Sequence, residues 1–176
     1  ICKYVMKKVK VNKDIEVKGT VYFLHGNAQN ISHHLASVYW LPEQGYQVLL
    51  LDYRGYGNSE GTPLIPDVFM DIAAGFDYVF SKPEVTEKPI YVLGQSLGAA
   101  MTGYVVATNP EINSRLSAVI LDAGFTSYAD ISQHIAAQSW LTWLFQYPVA
   151  WSMPSEFDLI DVVERISPTP LLIVHG

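Results

Sequence analysis

The sequence has little of what several classes of protein need. Its 176 residues include one cysteine, Cys2, which excludes an intrachain disulfide and any CxxC metal or redox motif. It has no uninterrupted run of about 18 apolar residues, the length that predicts a membrane-spanning helix. Lys and Arg number 11 against 17 Asp and Glu, a net charge of −6, and this balance argues against a nucleic-acid-binding protein.

The composition is that of a folded domain. Apolar residues make up 49% and charged residues 16%, which excludes intrinsic disorder, and the length suits a single domain. The sequence starts at Ile1 rather than methionine and stops at His175-Gly176, directly after an apolar run. We therefore expect the natural chain to be longer at both ends. We expect a cytoplasmic location, with membrane contact only through a segment upstream of Ile1.

Short apolar runs alternate with helical patterns along most of the chain. Strands are predicted at 20–24, 46–51, 89–93, 116–121 and 169–174, and helices at 32–44, 66–80 and 97–108. Strands that alternate with helices predict βαβ units, so the expected fold class is α/β, with a doubly wound, mostly parallel sheet covered by helices on both faces. Residues 5–11 and 15–17 alternate apolar and polar around 12–14, which predicts a hairpin.

The segment Gly94-Gln95-Ser96-Leu97-Gly98 has the pattern G-x-S-x-G between a predicted strand and a predicted helix. A sharp strand-to-helix turn brings two backbones together, and glycines on either side of Ser96 remove the side chains that would collide. Such a turn holds the serine in a strained conformation with its hydroxyl exposed. The positive end of the following helix then points at that hydroxyl.

Two further landmarks precede this motif, namely His25-Gly26-Asn27-Ala28 and the segment 52–61, DYRGYGNSEG. With the G-x-S-x-G segment they make the chain resemble the α/β-hydrolase superfamily, in the group of esterases, lysophospholipases and serine aminopeptidases. The resemblance implies an α/β-hydrolase sheet with a small helical cap. The last strand and the last helices of that fold are missing from this sequence. It also implies one incomplete domain over 1–176, with a cap-like insert at about 125–165.

The resemblance implies roles for individual residues. Ser96 is the expected nucleophile, Gly94 and Gly98 are the glycines of its turn, and the backbone N–H groups of Asn27 and Leu97 are the expected oxyanion donors. His25 is expected to brace its loop rather than act as the base. Candidate pocket residues are Tyr53 from the 52–61 loop, and Trp140 and Trp143 from the insert. No metal and no organic cofactor is implied.

A serine nucleophile needs a base and an acid, which follow it along the chain in this superfamily as an acid and then a histidine. By resemblance both come after the strand that ends at His175, so we expect them beyond Gly176. Within the sequence, Asp122 is the alternative acid and His134 the alternative base. We expect the 176 residues alone to be inactive or severely impaired.

The intact protein is therefore predicted to hydrolyse carboxylic esters, with a small acyl compound as its substrate. Thioesters and small amides are the alternative substrates on the same fold. The chain could instead be a non-catalytic binding module that lacks the catalytic triad. A nucleotide-binding α/β protein is disfavoured, because the glycines of the 52–61 loop lack both the GxxxxGK[ST] lysine and the GxGxxG spacing.

Overall fold

The computed structural model describes residues 5–27, 30–138 and 140–175, so Ala28 and Gly176 of the two His-Gly segments lie outside the described residues. The described strands form one sheet in the order β1-β3-β2-β4-β5-β6. Their bounds are β1 Val5–Val9, β2 Gly19–Leu24, β3 Tyr46–Asp52, β4 Ile90–Gln95, β5 Ala118–Asp122 and β6 Leu171–Val174.

Helical segments connect the strands from β2 onward. The α-helices are α1 Ile31–Val38, α2 Asp67–Phe80, α3 Pro83–Thr86, α4 Leu97–Thr108, α5 Pro110–Ser114, α6 Tyr128–Ala137 and α7 Gln146–Trp151. Short 3₁₀ helices occur at Leu41–Gln44, Trp143–Phe145, Leu159–Asp161 and Val163–Ile166. Among the described segments, no helix is both long enough and apolar enough to cross a membrane.

The sheet is parallel from β3 to β6, which confirms the predicted α/β class. The hairpin prediction is wrong. β1 pairs antiparallel with β3, in a register that places Met6 opposite Leu51, and residues 15–17 form no strand. The alternating pattern correctly marked an extended segment, but its partner is a distant strand rather than the next one along the chain.

Both faces of the sheet are covered, as the apolar strands predicted, except at the edge strand β6, whose four residues are exposed. Successive residues of β2 point to opposite sides of the sheet. One side packs against α1, in a cluster that comprises Val21, Phe23, Ile31, Val38, Leu41, Val48 and Leu50. The other packs against α2 and α4, in a larger cluster that includes Tyr22, Leu24, Leu51, Ile72, Phe76 and Met101. The doubly wound arrangement is therefore confirmed.

The first helix is shorter than predicted. The Asn30 side chain caps its start by accepting a hydrogen bond from the Ser32 N–H at 2.9 Å. The α-helical conformation ends at Val38, and a 3₁₀ turn that contains Pro42 follows, because proline has no N–H to continue an α-helix. Gly45 closes this turn at φ 94°, as predicted for a C-terminal cap.

The segment between β5 and β6 contains α6, α7 and three of the 3₁₀ turns. Ser127 caps α6, and the backbone N–H of Tyr128 donates to Asp158 Oδ1 at 2.8 Å. This bond ties the beginning of α6 to the chain as it returns toward β6. The segment therefore begins and ends next to the sheet.

Candidate active site

Ser96 occupies the turn between β4 and α4. Its backbone has φ 54° and ψ −117°, a conformation that costs a residue other than glycine about 1–3 kcal/mol. Its N–H donates to the Asp122 carbonyl at 2.8 Å, and its own carbonyl accepts from the N–H of Ala99 at 2.9 Å and of Ala100 at 3.2 Å. Hydrogen bonds to β5 and to α4 thus hold the strained residue on both sides.

Two glycines permit this turn by their lack of a side chain. A Cβ placed on Gly94 would lie 2.5 Å from the Gly98 carbonyl oxygen. A Cβ on Gly98 would overlap the Leu24 carbonyl oxygen and would lie 2.5 Å from that of His25. The start of α4 therefore packs directly on the end of β2.

The segment that follows β2 runs alongside Ser96. His25 is fully buried, and its Nδ1 lies 2.7 Å from the Gly26 carbonyl oxygen, a contact that requires the proton on Nδ1. The buried Tyr53 hydroxyl donates to the His25 carbonyl at 2.9 Å. A Cβ on Gly26 would lie 3.3 Å from Ser96 Cβ, so this loop passes directly against the serine. His25 is therefore buried beneath its own loop and bonded to it, the position expected of a residue that braces the loop.

Ser96, Leu97 and Asn27 line one cavity of about 420 Å³. Most of its wall is apolar, with Ile65, Met101, Phe125, Ile131 and Ile135 among the lining residues. The described lining residues include no Asp, Glu, His, Lys or Arg. The volume lies in the range of small-molecule sites, and such a wall suits an uncharged apolar group.

Tyr56 also lines this cavity, and the sequence reasoning missed it. Its hydroxyl donates to Asn27 Oδ1 at 2.6 Å. Burial raises the pKa of Tyr56 above its ordinary value, so the hydroxyl stays a protonated donor well into the alkaline range. The available signal was its place between Gly55 and Gly57, because two glycines around one aromatic residue favour a tight turn that presents it.

The three residues predicted to line the pocket are placed elsewhere. Tyr53 follows β3 directly and is fully buried, so its ring belongs to the core beneath the loop. Trp140 and Trp143 are 84% and 55% exposed. Neither they nor Tyr53 contribute to the cavity wall around Ser96. Instead, the insert contributes residues of α6 to the wall of this cavity, and the 52–61 loop contributes Tyr56.

The alternative acid and base are not brought together at Ser96. The Asp122 carboxylate accepts a hydrogen bond from Gln95 Nε2 at 3.0 Å, and Gln95 Oε1 lies 3.3 Å from His34 Nδ1. His134 and His175 line a different cavity, of about 570 Å³. None of the five histidines contributes to the wall of the cavity around Ser96.

The described part of the chain also holds no cluster of three or more His, Cys, Asp or Glu arranged for a metal ion.

The contact between Gln95 and Asp122 gives a prediction for stability. In Gln95→Glu two carboxylates face each other, and their repulsion raises the pKa of the pair in the folded state above the unfolded values. Protonation relieves the repulsion, so the variant is expected to lose about 1 kcal/mol at neutral pH and to regain it as the pH falls through the raised pKa. Thermal melts at about pH 7.5 and at about pH 4.5, the latter close to the unperturbed carboxyl pKa values, measure this.

Gln95→Leu is the uncharged control, since it also removes the hydrogen bond to Asp122 but adds no charge. Its stability deficit is expected to be the same at both pH values. An equal pH response of the two variants would show that the introduced carboxylate does not meet Asp122.

The family described as "Serine aminopeptidase, S33" matches residues 15–166. The uncharacterized protein YfhR of Salmonella typhimurium is 34% identical over 164 residues, covering 89% of this chain and 53% of that protein. The lysophosphatidylserine lipase ABHD12 of Macaca fascicularis is 31% identical over 164 residues, covering 89% of this chain and 40% of that protein.

A solved structure shares the fold. The α/β hydrolase from Vibrio vulnificus superposes with a TM-score of 0.75 at 21% identity, covering 89% of this chain and 56% of that one. The chain spans about half the length of the curated relatives that it matches. The family match over residues 15–166 and the shared fold agree, and the chain belongs to the serine aminopeptidase S33 family of α/β hydrolases.

Proposed function

We propose that the protein is a serine hydrolase that cleaves carboxylic esters, with Ser96 as its nucleophile. The observation that carries this proposal is the backbone of Ser96, which is strained at φ 54° in the wall of a largely apolar cavity. Strained residues cluster at active sites, where the rest of the fold enforces a useful geometry. A serine that was merely structural would gain nothing from this conformation.

The oxyanion of the reaction is assigned to two backbone N–H groups. Leu97 is the first residue of α4, and the first N–H groups of a helix have no partner within the helix. Asn27 follows Gly26, which lies against Ser96. Each preorganised donor of this kind contributes about 10²–10³ to the rate. The helix dipole of α4 adds to the stabilisation of negative charge at the same place.

The chemistry proceeds in two steps. Ser96 Oγ attacks the ester carbonyl carbon, its proton passes to a general base, and the tetrahedral intermediate collapses with loss of the alcohol. Water then attacks the acyl-enzyme and releases the carboxylic acid and free Ser96. The general base is not assigned to any of the histidines described here, because none of them lines the cavity.

We propose that the insert at about 125–165 acts as a cap that closes over a small acyl substrate. In support, α6 contributes Ile131, Ser132 and Ile135 to the wall of the Ser96 cavity. The related ABHD12 is a lysophosphatidylserine lipase, and lipases cleave esters. The family description names an aminopeptidase, whose substrate carries a free ammonium group. The described cavity wall offers that cation no carboxylate, which favours uncharged esters over such peptides.

Three substrates test this choice in the full-length protein. We expect p-nitrophenyl propionate to be hydrolysed fastest and propionyl p-nitroanilide more slowly. Alanine p-nitroanilide should be slower again, by about 10-fold or more in kcat/KM, because its ammonium enters an apolar cavity unpaired. The two anilides share a leaving group and differ by the amino group alone. Faster cleavage of the alanine compound would overturn the ester assignment in favour of an aminopeptidase.

A further inference from the structure

The bond between Tyr56 and Asn27 joins the two loops that flank Ser96. The Tyr56 hydroxyl belongs to the loop after β3 and donates to the Asn27 side chain, which belongs to the loop after β2, at 2.6 Å. Both residues line the Ser96 cavity. The bond is at the short end for a hydroxyl donor and therefore well formed.

Tyr56 is held rigidly enough to act as an anchor. Its ring contacts the ring of His25 edge-on at 5.2 Å between centroids and that of Tyr53 at 5.6 Å, and both of those rings are fully buried. Its N–H donates to the Tyr53 carbonyl at 3.0 Å. Gly55 and Gly57 flank it at φ 75° and 55°, in backbone conformations that favour glycine. The position of the hydroxyl is thus set by buried neighbours and a tight turn.

Asn27 has much less support from the core. It is exposed, although the two residues before it, His25 and Gly26, are buried. The exposed Asn27 side chain is therefore not fixed by packing in the core. The hydrogen bond from Tyr56 supplies a restraint, one residue from the point where Gly26 packs against Ser96.

We propose that Tyr56 is a positioning residue, whose hydroxyl holds Asn27 so that the Asn27 backbone N–H faces the oxyanion formed at Ser96. This inference rests on the proposed function, because it concerns the oxyanion donor of that reaction. Tyr56 acts through Asn27, so its contribution belongs to the transition state rather than to substrate binding. The competing role for a hydroxyl on this wall is direct contact with bound substrate, which would appear in KM.

The test is a kinetic comparison of variants in the full-length protein with p-nitrophenyl propionate. Tyr56→Phe keeps the ring contacts and removes only the hydroxyl. It is expected to lower kcat about 10-fold, the effect of one lost hydrogen bond, with KM changed less than about 2-fold. Asn27→Ala removes the acceptor and is expected to lower kcat by a similar factor. Tyr78→Phe removes an exposed hydroxyl on α2 and is the control, with kcat unchanged.

The double variant separates a shared action from two independent ones. If the two groups act through one bond, Asn27→Ala combined with Tyr56→Phe loses about 10-fold in kcat, the same as either alone. Independent effects would multiply to about 100-fold and would overturn the proposal. A change in KM with constant kcat, or no effect of Tyr56→Phe, would also overturn it. Absence of esterase activity in the unmodified protein would instead contradict the proposed function itself.

Discussion

Ser96→Ala is expected to lower kcat for ester hydrolysis by about 10⁴-fold or more in the full-length protein, with the fold intact. The hydroxyl is the only group that the substitution removes, and residual catalysis then comes from the oxyanion donors and substrate binding alone. Initial rates with a p-nitrophenyl ester measure the loss, and circular dichroism and a thermal melt check the fold. Retention of more than about a tenth of the activity would show that Ser96 is not the nucleophile.

Ser96→Gly distinguishes the catalytic role of the Ser96 hydroxyl from the backbone strain at this position. Glycine accepts φ 54° and ψ −117° without the steric cost that alanine shares with serine. The glycine variant is therefore expected to be equally inactive but about 1 kcal/mol more stable than Ser96→Ala. Chemical denaturation of the two variants measures this difference. A glycine variant that is less stable than the alanine variant would show that the turn stores no strain.

Gly98→Ala is the substitution expected to damage the fold most. Its new methyl group would overlap the Leu24 carbonyl oxygen and lie 2.5 Å from that of His25, so two pieces of backbone would have to move. Overpacking of this kind costs about 3 kcal/mol, and here the rigid end of β2 leaves little room for relaxation. We expect a loss of that size in the free energy of unfolding, with activity lost as well, since His25 belongs to the loop beside Ser96.

Gly103→Ala is the matched control for this experiment, because it lies in the same helix. Its methyl group would meet Leu159 Cδ1 at 2.6 Å and Cδ2 at 3.0 Å, the end of a side chain rather than backbone. Alanine also gains about 1 kcal/mol in helix propensity over glycine, so the net change is expected within about 1 kcal/mol. Equal destabilisation of the two variants would show that helix α4 does not rest on the backbone of β2.

The parts of this fold that the sequence predicted correctly are those whose signals are local. The apolar runs of β2 and β3 are buried on both faces, which left little ambiguity about their class. A side chain on Gly94 would meet the backbone of Gly98 and Ala99, so this close approach involves only residues next to Ser96 in the sequence. Each of these predictions used only neighbouring residues.

The predictions that failed needed contacts between distant residues. The partner of β1 is β3, some forty residues away, and no alternation within β1 identifies it. Tyr53 and Tyr56 lie in the same loop and have the same side chain, yet the first enters the core and the second reaches the cavity. The exposed Trp140 and Trp143 were predicted to line a pocket because they are aromatic, while Ile131 and Ile135 of α6 take that place.

The most direct test of the central claim is fluorophosphonate labelling of the full-length protein with peptide mapping of the adduct. These reagents bond to a serine oxygen only where it is activated as a nucleophile. Ser132 lies on the wall of the same cavity and serves as the internal control. One adduct is expected at Ser96, lost in Ser96→Ala and kept in Ser132→Ala. A folded protein that takes no label, or that takes it at Ser132, would show that Ser96 is not the nucleophile.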